Sequence, residues 1–257
     1  FETDKGIGRF SREVIDGTFS DRSSYVNDGQ ISIDTSFSND LIEKYAILYS
    51  EYINENEIVK ALKKLNWVRF LCVTRENEYS VSEVNKQIQY YLSKQIPEFK
   101  PKSDGFYHNQ PIIITRNDYK LGLLNGDTGI IRSKKTNDGE VLFANFETGE
   151  GKIREIQAGY LNHYETVFAM TIHKSQGSEF NFVVVILPEK HGERLLTREL
   201  LYTGVTRAKT NEKINDAKGP LPKKAVLLQT SEEVLKKCVI KSVSRASGLE
   251  ERLKNTK

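Results

Sequence analysis

The hydrophobic pattern runs from helical spacing to short alternating strands and back again, so three kinds of segment follow one another along the 257 residues. Ile7, Phe10, Val14 and Ile15 recur at helical intervals and Gly17 ends the run, which predicts a short amphipathic helix. Residues 16–38 are polar and aromatic without a period and read as an irregular connection. Asn39 or Asp40 caps a helix that presents Leu41, Ile42, Tyr45, Leu48, Tyr49 and Tyr52 on one face. A second helix over residues 55–65 turns Ile58, Ala61, Leu62 and Leu65 inward. Residues 68–73 read as a strand, and Ser80 or Ser82 opens a helix that reaches Lys94.

Residues 111–115 form a short apolar run that predicts a buried strand. Beyond it the period shortens. Residues 126–131, 141–146 and 152–156 are short strands separated by Gly, Asn and Asp turns. A stretch of this kind makes either a small barrel of SH3 type or an ordinary pair of hairpins. After Tyr164 the pattern returns to alternating strand and helix. Residues 166–171 form a strand, and residues 182–187 are an unbroken apolar run, typical of a parallel strand buried on both faces. Residues 198–206 read as a helix and 225–229 as the last strand. The expected class is α/β, with a parallel sheet built by residues 68–73, 112–115 and 166–187 and an antiparallel unit over 116–165.

Charge changes this picture little. The 38 basic and 35 acidic residues nearly balance, which argues against a nucleic-acid coat protein and permits a local basic groove. No apolar run approaches the roughly 18 residues of a membrane span, and no secretory signal opens the chain. Cys72 and Cys238 are the only cysteines, so neither a disulfide framework nor a metal site is expected, and the setting reads as reduced and cytoplasmic. Met170 is the only methionine, so Phe1 reads as an artificial or proteolytic start and the chain as a fragment. Residues 213–257 hold eleven Lys and Arg against five Asp and Glu, a bias that fits a solvated surface.

Candidate chemistry collects in two places. At Thr171-Ile-His-Lys-Ser-Gln-Gly-Ser-Glu179 a strand ends in a turn that crowds Thr171, His173, Lys174, Ser175 and Gln176 together and closes at Gly177. Hydroxyls, an imidazole and an ammonium at a strand's carboxyl end can hold phosphates, and a glycine lets the backbone approach a ligand. A polar turn with a capping serine has the same composition. At Tyr202-Thr-Gly-Val-Thr-Arg-Ala208 helical spacing puts Thr203 and Arg207 on one face. An arginine there either neutralises charge on a transferring phosphoryl group or pairs with a surface carboxylate. Arg75 touches DNA or caps a helix, and Thr115-Arg-Asn-Asp118 holds single-stranded DNA or makes a structural turn. Gly149-Glu-Gly-Lys152 lacks the leading glycine and the following Ser or Thr of a phosphate loop, and no Gly-x-x-x-x-Gly-Lys-Ser/Thr occurs anywhere in the chain.

Ala169-Met-Thr-Ile-His-Lys-Ser-Gln-Gly-Ser-Glu-Phe180 followed by Leu201-Tyr-Thr-Gly-Val-Thr-Arg-Ala-Lys209 resembles the last two motifs of superfamily 1 DNA helicases, in wording closest to the RecD family. Asp4-Lys-Gly-Ile-Gly-Arg-Phe10, Leu71-Cys-Val-Thr-Arg-Glu-Asn77 through Asn85, the stretch from Arg116 to Gly129, and Arg245-Ala-Ser-Gly-Leu-Glu-Glu-Arg-Leu253 are similar to further blocks of that family. The resemblance implies a RecA-like motor domain over residues 1–115 and 166–257, with an SH3-like insertion over 116–165. It implies that Thr171, His173, Lys174 and Ser175 lie along DNA, with Arg75, Arg116 and Asn117 extending that track. Gln176, Gly177 and Glu179 would line the ATP-facing side, and Arg207 would reach the γ-phosphate. ATP with magnesium would be held mainly by an N-terminal motor domain that these residues do not include, so the chain alone is expected to be inactive. Family members move 5′ to 3′ on single-stranded DNA, and RecD works with RecB and RecC as exodeoxyribonuclease V in double-strand-break repair and recombination. Two alternatives stay open: a stand-alone RecD-like helicase, and a non-catalytic module that binds a protein through the SH3-like unit. Residues 209–224 depart from the family by interposing a polar loop with Gly219, Pro220 and Pro222.

Overall fold

A computed structural model of the chain describes residues 5–19, 22–26, 28–35, 39–137, 139–149, 151–209 and 225–242. In chain order the elements are α1 (Gly6–Asp16), β1 (Ile31–Asp34), α2 (Asn39–Ala46), α3 (Ser50–Ile53), α4 (Ile58–Leu65), β2 (Val68–Cys72) and α5 (Val81–Gln95). Then come β3 (Pro111–Ile114), β4 (Thr128–Thr136), β5 (Gly139–Glu147), β6 (Ile153–Gln157), β7 (Tyr164–Thr166), β8 (Ala169–Thr171), β9 (Phe182–Ile186), α6 (Arg198–Val205), β10 (Val226–Gln229) and α7 (Glu232–Ile240). They build two sheets. One is parallel, in the order β1-β10-β9-β2-β8, and the other antiparallel, in the order β6-β5-β4-β3-β7.

Apolar side chains on both faces of the central strands make the parallel sheet a middle layer. Leu71, Val183, Val185, Val226 and Leu228 pack with Ile7 and Phe10 of α1, Leu201 and Val205 of α6 and Leu235 of α7. Phe70, Cys72, Phe182, Val184 and Leu227 point the other way, against Ile42 of α2, Leu62 and Leu65 of α4 and Ile88 of α5. The antiparallel sheet has its own core, in which Ile112, Ile114, Ile131, Ala144, Phe146 and Ile156 meet. It docks on the helices beneath β2. Arg132 of β4 donates to the Tyr52 and Glu55 carbonyls at 3.0 and 2.8 Å, and Tyr52 Oη donates to the Asn109 carbonyl at 2.8 Å.

Caps account for several boundaries. Gly17 takes φ 69° and ends α1, while the Ser80, Thr197 and Ser231 side chains accept from the first turns of α5, α6 and α7. Four expectations are corrected. Residues 16–38 contain β1, an edge strand that buries only Ile31 completely. The 111–115 run belongs to the antiparallel sheet, where β3 pairs with β4 and β7. Its residues are buried on both sides, so its composition mimics a central parallel strand. Residues 166–171 are two strands in different sheets, β7 ending at Thr166 and β8 starting at Ala169. Helix α7 follows the last strand and was not expected, although Val234, Leu235, Cys238 and Val239 recur at helical spacing after the cap Ser231. The polar loop at 209–224 and the 245–253 block lie largely or wholly outside the described residues.

Strand β8 is the free edge of the parallel sheet, so its outer backbone groups need partners from elsewhere. Asn85 of α5 supplies them. Its Oδ1 accepts from the Phe168 and Ala169 amides, both at 2.9 Å, and its Nδ2 donates to the Ala169 carbonyl at 3.3 Å. Replacing Asn85 with Ala strands two buried amides, and should lower stability by about 2–4 kcal/mol. Urea unfolding of the two proteins measures this, and a loss near zero would mean that Asn85 does not carry the edge.

Candidate nucleotide and DNA interface

One candidate motif starts at the carboxyl end of β8, the other lies on α6 and the turn after it, and the two are stitched into one unit. Thr171 ends β8, and a 3-10 turn over His173–Ser175 follows at once. Thr171 Oγ1 accepts from the Lys174 amide at 3.3 Å, Ile172 is fully buried beneath, and the Gln176 amide donates to the His173 carbonyl at 3.2 Å. Ser175 corrects an expectation: it is wholly buried, and its hydroxyl donates to the Ile172 carbonyl at 2.6 Å. It shapes the turn from inside and offers nothing to a strand of DNA. Gly177 takes φ 85° with nothing within 4 Å of the place a Cβ would occupy, so glycine is required there by backbone conformation, not by crowding.

The turn ends on Phe180, which exchanges backbone hydrogen bonds with the other motif. Its amide donates to the Arg207 carbonyl at 2.8 Å, and its carbonyl accepts from the Lys209 amide at 2.7 Å. Helix α6 stops at Val205, so Arg207 stands in the turn after the helix and not on the helix as its spacing suggested. Its guanidinium still reaches back along that face. Nε donates to the Thr203 carbonyl at 3.1 Å, one terminal nitrogen to the Ser178 carbonyl at 3.3 Å, and the other to Thr206 Oγ1 at 3.4 Å. All three acceptors are neutral, and no carboxylate among the described residues pairs with this cation. Glu179 is exposed and lies 3.8 Å from Lys209 Nζ. Ser178, Glu179 and Phe180 therefore lie beside Arg207 and Lys209 at one end of the turn, and Gln176 and Gly177 lead into it.

The other end is basic. Lys174 Nζ lies 3.0 Å from Glu165 Oε2, and Arg75, in the turn after β2, bonds to Glu165 Oε1. Burial alone would raise the Glu165 carboxyl, but the two cations outweigh it and hold it below the usual carboxylate range. His173 is exposed beside them. Arg116 and Asn117 lie in the loop between β3 and β4. Asn117 braces that loop, accepting from the Asn125 amide at 2.8 Å and donating to Tyr119 Oη at 3.0 Å.

Arg69 passed unnoticed in the sequence, although an arginine inside the apolar run of β2 was a visible anomaly. It is fully buried, donates to the Val167 carbonyl and to Asn66 Oδ1, and lies 5.0 Å from the Phe180 ring centre. Desolvation lowers its pKa. Its function here is to pin Phe180, and hence the turn. Gly204 lets α6 lie close to β9, since a Cβ there would sit 3.2 Å from Val185 Cγ1 and that side chain would have to give way slightly.

A family profile described as UvrD-like helicase C-terminal domain matches residues 166–211, the segment that carries both motifs. Over 196 residues the chain is 36% identical to the RecBCD enzyme subunit RecD of Mycobacterium tuberculosis, and over 186 residues 36% identical to that of Haemophilus influenzae. This is a RecD-type chain. The two alignments cover 76% and 72% of it, while the chain spans only 30% and 25% of those RecD subunits. Among solved structures, a Bacteroides Pif1 helicase in complex with ADP-AlF3 and ssDNA aligns with 97% of the chain and 54% of its own length, at 14% identity and a TM-score of 0.45.

Among the described residues no group of three or more His, Cys, Asp and Glu side chains is arranged to hold a metal ion, and no helix is long and apolar enough to cross a membrane. Because Gly177 sits in open space, Gly177→Ala in this RecD-type turn should cost only the left-handed strain, about 1–2 kcal/mol. Differential scanning calorimetry should show a melting temperature lower by roughly 2–6 °C. An unchanged value would mean that the turn relaxes out of the left-handed region.

Proposed function

We propose that the chain is the second motor domain of a RecD-type, ATP-dependent DNA helicase, and that Arg207 is its arginine finger. The observation that carries this reading is the state of the Arg207 guanidinium, bonded only to neutral acceptors and fixed through its own backbone to the turn at Gly177–Phe180. A cation with no carboxylate partner among the described residues, held in the turn after α6, is suited to an anionic ligand. ATP with magnesium supplies the phosphoryl group whose transfer to water drives movement. The chain has no phosphate loop, so it would contribute one wall of that site, facing a motor domain that holds the triphosphate. Arg207 would neutralise charge on the phosphoryl oxygens, with Gln176 and Glu179 beside it on the same rim.

At the basic end, Arg75, His173 and Lys174 would meet the phosphates of single-stranded DNA, while Thr171 fixes the turn that presents Lys174. Arg116 and Asn117 would extend the track from the antiparallel unit, which we take as an SH3-like insertion between the two halves of a RecA-like domain. Opening and closing of the two motor domains would move the strand 5′ to 3′. The name of the relatives, RecBCD enzyme subunit RecD, supports RecB and RecC as partners. In that assembly the chain would act in the cytoplasm, in double-strand-break repair and recombination, as part of exodeoxyribonuclease V.

Two measurements test this. The 257-residue chain by itself should hydrolyse ATP no faster than background, and robust DNA-stimulated turnover would sink the one-wall reading. In the chain joined to its partner motor domain, Arg207→Ala should depress ATP hydrolysis by about 10³–10⁵ while single-strand binding stays nearly unchanged. Arg207→Lys should rescue poorly, because a point charge cannot reproduce the planar fork. Thr171→Ala should behave oppositely, weakening strand binding and its salt dependence more than basal hydrolysis. Normal turnover with Arg207→Ala would make this arginine merely structural.

A further inference from the structure

Strands β2 and β8 are parallel neighbours, with Cys72 opposite Thr171, so the turns that follow them leave the sheet side by side. Those turns carry Arg75 and Lys174. A third segment reaches the two cations from the other sheet: Glu165 sits in β7, opposite Ile113 of β3. Its two oxygens divide the work, Oε1 bonding to Arg75 and Oε2 to Lys174 at 3.0 Å. A carboxylate that bridges two cations in this way stands in the place of the two non-bridging oxygens of a phosphodiester. The group is accessible, since the Arg75 side chain keeps 63% of its exposure and that of Glu165 35%.

We infer that Glu165 is a built-in competitor for nucleic-acid phosphate at a site made by Arg75 and Lys174, so that a bound strand displaces its carboxylate. The inference rests on the reading of this face as the DNA track, and adds to it a residue that sets affinity from the opposite sheet. Displacement does two things. It releases both cations to the strand, and it unties β7 from the turns at the end of the parallel sheet. Strand binding is thereby weakened and made reversible by an internal anion of fixed position, and the antiparallel unit is loosened when DNA arrives.

Glu165→Gln keeps the shape and removes the charge. Fluorescence anisotropy with labelled oligo-dT and the full chain should show binding tightened by about three- to tenfold at low salt, the scale of two partly exposed ion pairs. The slope of log K against log salt should steepen by up to about 0.7 for each cation freed. Arg75→Ala should weaken binding more when combined with Glu165→Gln than in the parent, because the arginine is engaged by DNA only once Glu165 is silent. Glu165→Asp, with the charge kept but the reach shortened, should fall between the two. Unchanged or weaker binding by Glu165→Gln, with a melting temperature near that of the parent, would overturn the inference and leave Glu165 as a prop for the two cations. Binding by neither the parent nor Glu165→Gln would overturn the DNA-track reading itself, and this inference with it.

Discussion

The chain passes from one sheet to the other within two residues, Val167 and Phe168, and every backbone group at that crossing must find a partner away from water. The accounting is complete and uses unusual donors. The Val167 amide donates to the Pro111 carbonyl at 3.0 Å, and its carbonyl accepts from Arg69. The Phe168 amide donates to Asn85, and its carbonyl accepts from Tyr49 Oη at 2.6 Å. Ala169 leans on Asn85 for both of its groups. Three buried polar side chains from β2, α2's following turn and α5 thus exist because two sheets of different sense share one short connection.

That requirement explains why a guanidinium is tolerated in the middle of the core. An isolated buried charge is expensive, and a carboxylate partner would bring its own desolvation cost. Arg69 instead meets a carbonyl, an amide oxygen and the face of Phe180, none of which needs to be stripped of a strong hydration shell. The same contacts hold the first residue after the Gly177 turn. The site is therefore positioned from below by the device that solves the crossing, and the polar residues visible at the surface are only its upper layer.

How much of this was legible depended on the residue in question. Helices α1, α4 and α5 followed from apolar spacing, because each has one clear inward face. The single helix expected from residue 39 to Tyr52 is instead broken into α2, a 3-10 turn over Ile47–Tyr49 and α3. The strand at 182–187 was evident from its unbroken apolar run. Strand β3 was misplaced by the same logic, since Ile112 and Ile114 face one core and Ile113 another, and composition does not say which sheet surrounds them. Strand β1 was invisible because an edge strand of four residues with one fully buried side chain has almost no pattern. At the site, the wording of the motifs singled out the Thr171–Phe180 turn and Arg207, which the structure joins through the Phe180 backbone. It could not tell that Ser175 points inward, nor that Arg69, Asn85 and Glu165 complete the arrangement. Those three act across long stretches of chain, and long-range partners leave no periodic trace.

The turn from Thr171 to Phe180 has a fixed point at each end and a permissive one between. At one end Lys174 is tied through Glu165 to the antiparallel sheet; at the other Phe180 is tied to the backbone around Arg207. Gly177 lies between them in the left-handed region, with open space where a Cβ would stand. The path between the ends is hydrogen-bonded, the Gln176 amide donating to the His173 carbonyl and the Ser178 amide to the Ser175 carbonyl. In the proposed motor, one end meets the strand and the other the nucleotide. The two must then communicate through the segment from Thr171 to Phe180, which runs from the carboxyl end of β8 to the start of β9.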